Sequence, residues 1–237
     1  MEKVYKNIVY LFIVFTIIIL VGFYKTYFAK FPDFEGLKVI HHVHGFTVAL
    51  WLTLLIVQPL LIRQRKYTLH KTLGKFSYVL VPFILVFMLL VYKNLYLNAE
   101  ASGTPHSENL TILFLPLVDT FPFMIYYSLA IINRRNIAKH MRYMILTAVI
   151  VLGPALSRIF SVLLHFDFFT TLVSVSAVLF CIFIGLIVYD RIHKKHLKPS
   201  PYVIGLVIFL IPNITILFIP KTIWWQTFAE KILQNFF

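Results

Sequence analysis

The feature that most limits what this chain can become is its succession of apolar runs. Each is about 20 residues long, the length a helix needs to cross a bilayer, and basic residues collect in the short loops between them. The 237 residues are 60% hydrophobic and only 13% charged, where a soluble domain carries roughly 25% charged residues. Mean hydropathy is +0.86. Strand-like alternation is absent, which favours an all-α integral membrane helical bundle over a β-barrel. The net charge of +13 does not indicate nucleic acid, because the cations sit in loops flanking apolar runs. There they suit anionic lipids at the cytoplasmic face. The single cysteine, Cys181, lies inside an apolar run and cannot form an intrachain disulfide.

The runs predict seven transmembrane helices, at about 8–27, 39–62, 73–92, 110–132, 141–164, 169–189 and 201–219. They form one domain, 1–219, with 220–237 as a C-terminal interfacial tail in which Trp224 and Trp225 suit the headgroup region. The first run lacks a small-residue cleavage site and leads into further spans, so it reads as a retained helix. Lys3, Lys6, the basic groups within 63–75 and 134–142, and Arg191, Lys194, Lys195 and Lys198 fall on one side. Lys25, Lys30, Lys38, Lys93, Lys221 and Lys231 fall on the other. This bias predicts a cytoplasmic N-terminus and an outside C-terminus.

Depth then sorts the polar residues into two layers. Near the outer face lie His41, His42 and His44, with Arg158, His165 and Asp167; Asp119 lies roughly 15 Å below that face at ~1.5 Å per residue. Near the inner face lie Gln58, His70 and His140 among cations. His44, Trp51 and Gln58 recur every seven residues and line one helix face. Such a stripe points at protein or a bound group, not lipid. His41 and His44 share a face and, with His165 and Asp119, make a candidate metal set at the outer face. The same histidines are also satisfied as wetted interfacial residues. No His-Glu-x-x-His or cysteine cluster supports a metal independently.

Asp119 and Arg158 read either as an ion pair between helices 4 and 5, or as a site in which Arg158 holds a propionate, carboxylate or phosphate. At the inner face, His70 and His140 are candidate axial ligands facing one another, with Lys71, Lys75 and Arg142 near the propionates. Gly74 allows close approach of a backbone or flat ligand. The alternative there is an ordinary positive-inside loop. His193, His196 and His106 read as solvated and inert, and Trp51 and Gln58 as bundle packing. Pro116, Pro122, Pro154 and Pro212 are expected to kink helices and border cavities. Asn213 is expected to hydrogen-bond between helices.

The run His44-Gly45…Trp51…Gln58…Leu69-His70-x-x-Leu73-Gly74, with His140-x-x-Tyr143-Met144 and Pro154…Arg158, resembles a group of uncharacterised bacterial predicted membrane proteins. That resemblance covers helices 2 to 5 and implies the bacterial cytoplasmic (inner) membrane, with no established activity. Histidines at helix ends in both leaflets are distantly similar to two-haem cytochrome b-type membrane reductases, a resemblance that implies haem b, electron transfer and a quinone or other redox partner. That family draws its ligands from four consecutive helices. Here helix 4 has no histidine, and helix 5 supplies both His140 and His165. The sequence therefore leaves three readings. The chain is a haem or metal electron-transfer protein using His41, His44, His70, His140 and His165 with Arg158. Or it is an outer-face metal enzyme, or a non-catalytic assembly or transport protein.

Overall fold

The computed structural model describes residues 7–193 and 197–236. Lys3, Lys6, Lys194, Lys195 and His196 lie outside them. The described residues are helical with no strand, as backbone sealed in lipid requires. Six helical segments are long and apolar enough to cross a membrane, and a shorter apolar helix joins them. That shorter helix is α1, Ile8–Phe23, about 24 Å long at ~1.5 Å per residue. The chain is a multi-pass helical membrane bundle.

The remaining helices are α2 (Val39–Arg63), α3 (Tyr67–Ala101), α4 (Thr120–Ile132), α5 (Ile137–Arg158), α6 (Phe168–Ile192), α7 (Pro201–Thr215) and α8 (Ile223–Phe236). At about 52 Å, α3 is longer than the hydrocarbon core. Its last turns project beyond the span predicted at 73–92. The fourth span is not one continuous helix from Leu110. Short pieces, His106–Asn109, Ile112–Phe114 and Leu115–Val118, lead to Asp119, whose φ of −125° and ψ of −51° break the path before α4 starts. Past Arg158, α5 continues as a π-helical turn, Ile159–Leu163.

The bundle is built around α5, which packs against α1, α2, α4, α6 and α7. Ile145, Leu146, Val149, Leu152 and Ala155 of α5 are almost completely buried. At Gly22 the backbone of α1 rests on Ala155, with no room for a Cβ. At the basic end, Arg142 ties three helices together. Its guanidinium donates to both carboxylate oxygens of Asp190 on α6, at 2.6 and 2.9 Å, and lies over Tyr202 of α7. Arg142 is therefore a structural cation, not one held ready for a propionate.

A second, smaller core joins α8 to the broken segment through Tyr96, Leu110, Phe114, Ile216, Trp225 and Ala229. Trp225 is 3% exposed and Trp224 66%. So Trp225 is a packing residue rather than a headgroup anchor, and its Nε1 donates to the Leu110 carbonyl at 3.1 Å. Above this core, Glu100 bonds His106 and Asn109, both at 2.9 Å. His106 thus has a structural partner.

Candidate functional site

The site lies at the end of the bundle where α2 begins, opposite the basic connections. There α1, α2, α3, α5, α6, α7 and the Asp119 break line a half-open cavity of about 710 Å³. That volume suits a small-molecule ligand. Its walls are mostly apolar, from residues such as Leu20, Phe23, Leu172 and Leu179, and its polar groups come from a few places. His41, His42 and His44 enter because α2 starts at Val39 and its first turn faces inward. Arg158 enters from the end of α5, and Asp119 from the helix break.

Each polar group has its own circumstances. The Lys38 backbone N–H donates to His41 Nδ1 at 2.9 Å, and Asn94 lies 3.4 Å from its Nε2. His42 Nδ1 pairs with the Tyr27 hydroxyl at 2.8 Å. His44 Nδ1 and Thr26 Oγ1 are buried with no hydrogen-bond partner in the protein, which is costly for a polar atom unless something supplies one. Asp119 accepts from the Tyr92 and Thr120 hydroxyls.

Arg158 and Asp119 do not form the expected ion pair. Arg158 Nη1 donates to the Pro154 carbonyl at 2.9 Å, and the guanidinium stacks over Phe23, 4.2 Å from the ring centroid. Among the described residues no carboxylate contacts it. Asp119 lines the same cavity without contacting it, so a guanidinium with a single protein acceptor lies in a mainly apolar, half-open cavity.

His165 does not join this group. It is exposed, in a left-handed turn at φ 58°, and does not line the cavity. The structure thus brings together His41, His44, Asp119 and Arg158, and leaves His165 apart. Among the described residues no group of three His, Cys, Asp or Glu side chains is placed to hold a metal ion. Tyr92, Thr26 and Asn94 are site residues that sequence reasoning missed. Nothing in an apolar run marks a Tyr, Thr or Asn as cavity-lining before the helices are packed.

The inner layer is a different arrangement. His70 and His140 lie within electrostatic range of one another. The Gln58 amide fits between the His70 carbonyl at 3.2 Å and the Gly74 N–H at 3.1 Å, which orients its NH2 toward His70. That NH2 then also donates to His70 Nδ1, so neutral His70 carries its proton on Nε2. His140 has the opposite tautomer, because its Nδ1 must donate to the Ala130 carbonyl at 2.8 Å. Both rings thus have Nδ1 engaged within the protein, His70 with Gln58 and His140 with the Ala130 carbonyl. Gly74 admits the Gln58 side chain, not a flat ligand. Trp51, 1% exposed, packs edge-on to Phe123 and Tyr127. The His44–Trp51–Gln58 face does point into protein, with only its His44 end on the cavity. The Ser176 hydroxyl on α6 donates to Asn213 Oδ1 at 2.8 Å, so Asn213 makes an interhelical bond as acceptor rather than as the expected donor, and its own NH2 donates to the Phe209 carbonyl at 2.8 Å within α7.

Compared with protein-family models, curated proteins and solved structures, the chain matches none of them, and its chemistry is argued from this cavity alone.

Proposed function

We propose that this membrane protein binds a lipid-soluble amphiphile with an anionic head. The head sits at Arg158 among His41, His44 and Thr26, and the hydrocarbon part lies along the apolar walls toward α6. One observation carries the reading: a guanidinium without a contacting carboxylate inside a mainly apolar cavity. A charge removed from water is costly unless paired, and an anionic ligand supplies the missing partner. Arginine suits carboxylate, phosphate and similar oxyanions through its planar fork of donors. The lack of a partner for Thr26 Oγ1 and His44 Nδ1 supports a polar head at the same place.

The test is binding to the purified chain in lipid nanodiscs. An alkyl carboxylate or alkyl phosphate is expected to bind, and the alcohol of equal chain length to bind far more weakly. Arg158→Gln is expected to weaken the acid by about 2 kcal/mol or more, roughly 30-fold, and to leave the alcohol unchanged. Equal affinity for acid and alcohol contradicts the reading.

A further inference from the structure

The walls of the cavity are not equally covered. Deep in the bundle the walls from α5, α6 and α7 are closed, with Ile150, Leu179 and Phe209 buried. On the α1 and α2 side the wall residues at that depth are open. Leu20 is 48% exposed and Phe46 65%, and Gly45 and Ala49 are exposed as well. A Cβ added at Gly45 would meet no atom within 4 Å. Among the described residues, the other exposed residues on the helical walls sit at helix ends: Phe28 after α1, Leu95 and Asn98 in the last turns of α3, and Phe168 at the start of α6.

The α1–α2 connection reverses the chain, and the Tyr27–His42 bond sets the level at which the two strands of this hairpin meet. From that bond, Leu20 on α1 and Ala49 on α2 each lie about two helical turns, ~10 Å, further into the bundle. The opening is therefore beneath the bond, at the depth of lipid tails. Directly behind it is the head site. The Arg158 guanidinium lies over Phe23 of α1, and His44 adjoins Gly45.

We propose that the ligand enters and leaves sideways, from the bilayer, through this window between α1 and α2. This rests on the anionic-amphiphile reading and adds the source of the ligand: an acidic amphiphile resident in the leaflet around the start of α2, not a solute taken from water. Each methylene drawn through water is disfavoured about fourfold, so a tailed ligand is concentrated in the bilayer, and a lateral path never wets its tail. The small side chains at Gly45 and Ala49 leave room for that tail to pass. The cation behind Phe23 receives the head as it crosses.

The test is ligand exchange on the full chain in phosphatidylcholine vesicles. The probe is pyrene-labelled decanoate, a bilayer-resident acid, read by energy transfer from the protein's own tryptophans. Unlabelled decanoate is then added and release of the probe is followed, while titration gives the affinity. Arg158→Gln supplies the signal of probe that is in the bilayer but not in the site. Gly45→Phe is expected to slow release about tenfold or more while affinity moves less than about twofold, because a narrowed passage slows entry and exit alike. Asn98→Phe, at the water-facing rim, is expected to leave release unchanged. If Gly45→Phe fails to fold, Ala49→Phe narrows the same window and takes its place.

Release unchanged in the folded window variant, or slowed by Asn98→Phe instead, overturns this proposal and leaves the cavity reading standing. Faster release with weaker affinity in the window variant also overturns it, because the residue then lines the ligand's seat and not its path. Equal probe signal from wild type and Arg158→Gln overturns the cavity reading and this proposal with it.

Discussion

Two arginines on α5 meet opposite fates. Arg142 is fully buried with a bidentate carboxylate partner, and its role is architectural. Removing that carboxylate strands the cation, so Asp190→Ala is expected to cost about 3–5 kcal/mol, whereas Arg142→Met with Asp190→Leu is expected to cost far less. Thermal unfolding of the detergent-solubilised variants compares them, and equal losses would contradict the assignment. Arg158 has no such partner, and this contrast is why the site is placed there. At the surface, Asp167 caps α6, accepting from the Thr170 hydroxyl and, at 3.0 Å, from its backbone N–H. These bonds, the hydroxyl first, hold its carboxyl below the usual range. A depressed folded-state pKa gives stability that is full above the unfolded value and lost as pH falls through the folded one. Asp167→Asn should keep the cap and flatten this acid-side dependence of the melting temperature; an unaltered dependence would show that Asp167 is not its source.

Among the elements, α1 and α8 hold the site from two sides. Because α1 touches α5 backbone at Gly22, a bulky residue there must push α1 away. Gly22→Leu is expected to destabilise the bundle by about 1–3 kcal/mol and to weaken ligand binding, since Ile19, Leu20 and Phe23 form that wall. Unchanged stability and binding would contradict the close approach. On the other side, α8 clamps the broken segment that ends in Asp119. Trp225 holds the Leu110 carbonyl, and Gln226 holds that of Ser107 at 3.1 Å. Trp225→Ala is expected to raise hydrogen exchange over residues 106–118 before it rises in α4; exchange confined to α8 would show that the tail does not support the break.

Across the whole molecule, what was legible in the sequence follows from what bilayer physics makes local. Span length, helix class and the clustering of cations need only consecutive residues, and so the all-α bundle was readable. The break at Asp119 was not, because an aspartate inside an apolar run reads as a buried charge until its φ and ψ are known. The ion partners were also hidden. Asp119 and Arg158 are the conspicuous charges within the spans, yet the pair that forms joins Arg142 and Asp190, both at helix ends where each looks like a loop residue. Histidine layering was readable as depth, but depth does not say which way a ring points. His44 faces a cavity and His165 does not, and only packing separates them. The central claim is that the cavity beside Arg158 holds an acidic amphiphile, and native mass spectrometry of the purified chain tests it most directly. The account predicts a single anionic amphiphile retained by wild type and lost from Arg158→Gln, with both proteins folded. A chain that keeps the same bound species after Arg158→Gln, or retains only uncharged lipid, would contradict it.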